Sequence, residues 1–386
     1  MSRSIPVCAL ALAAICASTV LASAQISSSP AESDATQGAA SPVAYVYVSN
    51  VPSGNTVRIN AYAAASDGSL TKVPGSPFAD NVTYMALNGK WLFAIENRID
   101  ASVIDSYSIA SNGALTLKDA LTAEPNPGAV SVYLDHTGST LYSDYYTVNN
   151  DFLQYSINQS SGQLSYIGDL AGGPAQGSVV SFVGSNLYAY SSSCYHFDPA
   201  IYGVQRASDG TLSYVKTTPP FPSAPTGDFW CPWLAAADPT NHLAIAMGPF
   251  TGDWDSDGPY QLASYTVDSA GNLSTKSTFS NMPKVSVGTI AGYWMSPDGK
   301  YLAIGGSAGF QIFHFNGANP ITKFTGLLTN NPIDQIFWDN AHHVYAISRT
   351  KGKLFVWTVK STGVTKAPGS PHLITDPVNL IVLPKS

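Results

Sequence analysis

The chain has 386 residues and a formal net charge of −7, and only 11% of its residues are charged, against the ~25% usual for soluble proteins. A chain this acidic and this poor in lysine and arginine lacks the electrostatic grip that nucleic acids and anionic membranes require. Glu32, Glu96 and Glu124 are its only glutamates. Helix surfaces favour Glu and Lys, whereas turns favour Asp, Asn, Gly and Ser, so the balance predicts an all-β protein.

In chain order, residues 1–24 read as a signal peptide. Arg3 supplies the positive start, VCALALAAICASTVLA the apolar run, and Ala22-Ser23-Ala24 a small-residue cleavage site. The apolar run is shorter than the ~20 residues a crossing helix needs, so no membrane span is expected and the protein is read as secreted or periplasmic. Residues 25–42, rich in Ser, Ala and Pro, have the composition of a disordered spacer. The folded domain is expected over 43–386.

Within that domain a short apolar strand recurs: YVYVSN from Tyr45, WLFAIEN from Trp91, TLYSDYY from Thr140, NLYAYSSS from Asn186, HLAIAMG from His242, YLAIGGS from Tyr301 and HVYAISR from His343. The intervals of 42 to 59 residues match propeller blades, each a four-stranded antiparallel sheet. A tight turn precedes most anchors (DHTGS, DPTN, SPDGK, DNAH). A variable loop, a third strand and a second tight turn follow, as in INAYAAASDGSLTKV and LASYTVDSAGNLSTK. Seven anchors predict a seven-bladed β-propeller. The first anchor lacks its own preceding strand, while the spare segment PVNLIVLP stands at the C-terminus. That segment is expected to pair with Tyr45–Ser49 and close the ring.

The phrases DGSLTKVPGSPF, GVTKAPGSPH and SPDGKYLAIGGS resemble the seven-bladed lactonase-type propellers, the 6-phosphogluconolactonase-like proteins and their YVTN-repeat relatives. The resemblance runs over essentially all of 43–386. It implies the propeller fold and a lactone-hydrolysing ancestor, in which water attacks a cyclic ester. The motifs are turn and strand signatures, and no catalytic histidine or arginine motif of the family can be matched to a position here.

Blade topology puts the tight turns on one face and the variable loops, with the connections between blades, on the other. Several chemistry-bearing residues fall on this variable face. Cys194 and Cys231 are the only cysteines after residue 24; even count, export and shared face predict a disulfide. Arg58, Arg98 and Arg349 are candidates for binding an anionic or sugar-like ligand. Glu96, Glu124 and His196 are candidate catalytic groups, a carboxylate there serving as general base on water. Asp253, Asp255 and Asp257, followed by Gly258, begin like a calcium loop. The closing ligand is missing, because Ser264 and Gln261 stand where a carboxylate would, so calcium would bind weakly and no other cofactor is expected. Phe229, Trp230 and Trp233 are expected to pack around the disulfide. The reading is a secreted or periplasmic propeller that binds a small ligand or another protein, or serves as a scaffold. The alternative is an extracytoplasmic sugar-lactone hydrolase.

Overall fold

The computed structural model describes residues 41–385, apart from 52–56, 80, 98–100, 125–128, 146–151, 171–179, 195–198, 216–220 and 252–255. Seven antiparallel sheets follow one another in sequence, and no helix occurs among the described residues. Blade one contains the strands 44–50, 58–64 and 70–72, blade two 82–87, 91–97, 102–109 and 115–124, and blade three 129–134, 140–145, 152–157 and 164–170. Blades four to seven begin with innermost strands at 181–182, 228–237, 290–295 and 335–338. The C-terminal strand Pro377–Pro384 becomes the innermost strand of blade one, with Ser49 opposite Asn379 and Tyr45 opposite Leu383. This is the predicted closure.

Alternation along each strand sends successive side chains to opposite neighbours. Tyr45 and Tyr47 pack toward blade two, whereas Val46 and Val48 pack toward blade seven. Seven apolar clusters result, one between each pair of adjacent blades. The core is thus a ring of seven interfaces, and each blade is held by its two neighbours.

The tight turns lock those interfaces. Gly113 of blade two has φ +83° and a Cβ there would lie 2.4 Å from the Tyr45 ring of blade one, so both conformation and space demand glycine. Its carbonyl accepts a hydrogen bond from Tyr47 Oη at 3.0 Å. The same device recurs with Tyr142 and the Gly210 carbonyl (2.7 Å), and with Tyr190 and the Gly271 carbonyl (2.7 Å). Anchor tyrosines and turn glycines are therefore two halves of one contact.

Two blades depart from four strands. The PGSPF and PGSPH phrases each add a two-residue strand, Phe78–Ala79 in blade one and His372–Leu373 in blade seven. In both, the serine hydroxyl accepts a backbone N–H of the third strand: Ser76 from Ala61 and Ser370 from Val356, at 2.9 Å each.

Candidate functional site

The tight turns are built around buried, hydrogen-bonded carboxylates. Asp135 opens the first turn of blade three, where Oδ1 accepts the N–H groups of Ser139 (3.1 Å) and Thr140 (3.2 Å). Its Oδ2 accepts from the Thr137 hydroxyl at 2.7 Å and lies 2.7 Å from Arg206 Nη2 of blade four. Asp238 does the same in blade five, with His242 Nδ1 at 3.1 Å. In blade seven, Asp339 Oδ2 lies 2.8 Å from His343 Nδ1 and accepts from Tyr345 Oη at 2.8 Å. His136, His342 and the paired His242 and His343 all belong to these turns. Every one of the three carboxylates is buried and answered, the arrangement a structural group needs.

The variable face differs. Arg349 reaches the closing strand: Nε and Nη2 both donate to the Val378 carbonyl, the former at 3.0 Å. Its own N–H donates to Asp334 at 2.7 Å. This arginine ties blade seven to the ring seam. Arg58 is exposed at the start of its strand, opposite Asn50. Glu96 is half-buried near the end of the blade-two anchor, opposite Val103, and the backbone of Glu124 pairs with Ser102. Arg98 and His196 lie outside the described residues, as do Asp253 and Asp255. Asp257 is exposed, and its N–H donates to the Pro249 carbonyl at 2.8 Å. It stands beside Asp228, whose pKa is raised by desolvation, then by a hydrogen bond to Asp257 and by that residue's charge. Among the described residues no group of three His, Cys, Asp or Glu is placed to hold a metal. Cys194 and Cys231 are bonded, with Cα atoms 5.3 Å apart across 37 residues of sequence. Closing such a loop contributes about 3–4 kcal/mol in the chain-entropy treatment.

The group that stands out was not among the sequence candidates. Asp144 lies toward the variable end of the blade-three anchor, opposite Ser131 on the innermost strand and Phe152 on the third. It is 1% exposed, and among the described residues neither carboxyl oxygen has a hydrogen-bond partner. Burial pushes its pKa up to about 7. It sits four residues beyond Thr140, whose carbonyl closes the preceding turn. The equivalent positions of the other six anchors hold Ser49, Ile95, Ser192, Ala246, Gly305 and Ile347. The fold fills this place with small or apolar residues, so the carboxylate is not there to build the blade.

Around Asp144 the polar groups remain unanswered. Ser131 Oγ and Tyr133 Oη, two residues apart on the innermost strand, are buried without hydrogen-bond partners. The Tyr133 pKa is raised well above its usual value, first by desolvation and then by the nearby Asp144 charge. Tyr133 and Tyr142 belong to the blade three–four interface, with Tyr214 packed against it from blade four. A carboxyl held near neutrality in such a setting can take a proton from water or give one to a leaving group. One signal in the sequence could have found it: an aspartate inside an apolar strand of a repeat whose other copies have none.

Comparison with known proteins agrees with this architecture. The family model for the seven-bladed β-propeller lactonases matches residues 45–167. A search of curated proteins finds no match. Among solved structures, the periplasmic gluconolactonase of Pseudomonas aeruginosa is similar at 13% identity and a TM-score of 0.64, covering 88% of this chain and 99% of that one. A putative 6-phosphogluconolactonase of Bacteroides fragilis gives 14% identity and a TM-score of 0.61, covering 88% and 98%. A protein of Lactobacillus plantarum gives 14% and 0.63, covering 88% and 99%. The chain folds as a seven-bladed β-propeller, and its first three blades match the family model of the lactonase propellers.

Proposed function

We propose that the protein is an extracytoplasmic hydrolase of sugar-type lactones, with Asp144 as the general base. The observation that carries this reading is a buried carboxyl without a partner, at a position where the fold needs none. The disulfide and the signal-like N-terminus support an exported protein, and the names of the similar structures support the substrate class. The pure scaffold reading leaves Asp144 unexplained, since a buried unpaired carboxyl costs stability.

In the reaction, the Asp144 carboxylate takes a proton from water as the water oxygen bonds to the lactone carbonyl carbon. The tetrahedral intermediate collapses with cleavage of the ring C–O bond. The departing alkoxide recovers the proton from Asp144, and the product is the open hydroxy acid. Asp144 lies one strand behind Ser131 of the innermost strand, and in this reading the attacking water enters beside Ser131. A base must be ionised to act, so the rate should rise with pH and level off above about 7.

The test is hydrolysis of glucono-δ-lactone against buffer alone, across pH 5–8. Asp144→Asn should lower kcat by about 10²-fold or more while the protein stays folded by circular dichroism. A folded wild-type protein that opens no lactone faster than buffer would leave a ligand-binding propeller instead.

A further inference from the structure

At the third position of the anchor strand, five blades carry a ring that is fully buried against the next blade: Tyr47, Phe93, Tyr142, Tyr190 and Tyr345. Blades five and six have Ala244 and Ala303 there instead. Beside Ala303 the room is refilled, because Phe310 and Trp357 pack into the same core with ring centroids 4.6 Å apart. Beside Ala244 it is not. A cavity of about 10 Å³ remains between blades five and six, room for one water- or methyl-sized group. Protein interiors are close-packed, and the walls of such a gap forgo contacts that an occupant would restore.

The walls decide what fits. All the lining side chains are aliphatic except Tyr293, which supplies the one hydroxyl. A trapped water needs two or more polar partners, so the space suits an aliphatic group instead. Burial alone pushes the Tyr293 pKa up to about 12, and no hydrogen bond answers its hydroxyl among the described residues. The walls also show where the cavity opens. Its lining residues on the second and third strands are 4% exposed or less. Leu234 and Tyr293, on the innermost strands of blades five and six, are only half-buried. The cavity is therefore sealed at its back and open toward the ring axis. Trp233 stands next to Leu234 at this lip: a bulge leaves it without a cross-strand partner and 44% exposed, rather than packed near the disulfide as expected.

We propose that the cavity between blades five and six is a subsite for a methyl group, and that the substrate is a sugar-type lactone whose last carbon carries no hydroxyl, a 6-deoxy lactone. The methyl fills the space beside Ala244, and Tyr293 donates a hydrogen bond to an oxygen of the adjoining ring. The substrate rests on the hydrolase reading, whereas the methyl pocket stands on packing alone. A hydroxymethyl group would carry a further polar atom into a space with a single polar partner at its mouth, so the pocket discriminates against it.

The experiment sets 6-deoxyglucono-δ-lactone against glucono-δ-lactone in wild type, Ala244→Val and Tyr293→Phe. In wild type, kcat/KM should favour the deoxy lactone by about tenfold or more, the range of one well-placed methyl. Ala244→Val fills the cavity from the protein side, so the preference should fall to parity while the thermal midpoint holds or rises. Should that midpoint fall, Ala246→Val on the same wall takes its place. Tyr293→Phe should weaken both lactones alike and keep the preference; unchanged KM values in it overturn the role given to Tyr293. Independently, calorimetric titration with the two corresponding lactams, which are not hydrolysed, should show the same preference and its loss. Equal lactam affinities in wild type, or a preference that survives filling of the cavity, overturn the pocket and leave the hydrolase to its own test. A lactam preference that filling removes, in a protein that opens no lactone, overturns the hydrolase and keeps the pocket. Binding of neither lactam overturns the pocket.

Discussion

Blade three carries two fully buried aspartates nine residues apart, and they are treated in opposite ways. Asp135, at the tight-turn end, accepts two backbone N–H groups and a hydroxyl and pairs with Arg206. Asp144, toward the variable end, has no hydrogen-bond partner among the described residues. Burial is the same, so the difference lies in purpose. A satisfied carboxylate fixes a turn and a neighbouring blade, whereas an unsatisfied one stores a cost that only an external group can relieve. The two ends of blade three divide along this line, one built on a paired carboxylate and the other holding an unanswered one.

The contrast can be broken from either side. Asp135→Ala takes the only carboxylate partner shown for Arg206, which is 12% exposed, and removes the acceptor of two turn N–H groups. Loss of one member of a buried pair costs about 3–5 kcal/mol, which urea unfolding would register. Asp144→Asn should act in the other direction and depend on pH. The folded pKa of about 7 lies above the unfolded value, so between pH 4 and 7 the folded state holds the extra proton. Wild-type stability therefore falls as pH rises through that window, and the Asn variant escapes the fall. It should be more stable than wild type by up to about 4 kcal/mol above pH 7 and no more stable near pH 4. Equal pH dependence of the two proteins would remove Asp144 as a buried acid.

Glycines sharpen the same comparison at smaller scale. Gly113→Ala drives a Cβ into the Tyr45 ring at 2.4 Å and should cost about 2–3 kcal/mol. Gly227, on the variable side, also has positive φ but nothing within 4 Å, so its replacement by Ala should cost only about 1 kcal/mol. Tyr47→Phe, which removes the bond to the Gly113 carbonyl, should cost about 1 kcal/mol. The smallest effect concerns Asp253, Asp255 and Asp257. If they take calcium, millimolar calcium raises the thermal midpoint by a few degrees and Asp255→Asn reduces the gain. Equal midpoints with calcium and chelator make the stretch a solvated turn.

The ring was legible because its signals are local. Turn glycines, anchor tyrosines and the spare segment at 377–384 each carry their meaning within a few residues, and the repeat multiplies them. The site was less legible because its signals are relational. Arg349 looks like a ligand-binding arginine, yet its partner is the Val378 carbonyl, 29 residues on and across the seam. Asp144 is one aspartate among many, and only its alignment with the other six anchors marks it out. Trp233 is exposed by a bulge, and a bulge is a property of register that one strand's sequence does not carry.

The closing strand also sets an order of events. Asn50 donates a hydrogen bond to the Thr375 carbonyl, 325 residues away, and every residue from Ala44 to Asn50 is paired with the final strand. During synthesis the first blade to emerge is thus the last to be finished, since its inner edge waits for the strand 377–384. Six blades can assemble by contacts with their immediate neighbours, but the seventh interface demands a loop spanning the whole domain. Until then the Tyr45–Ser49 edge stands open to any other strand. A chain truncated before Pro377 would keep that edge open, so the strand 377–384 decides whether the ring is sealed.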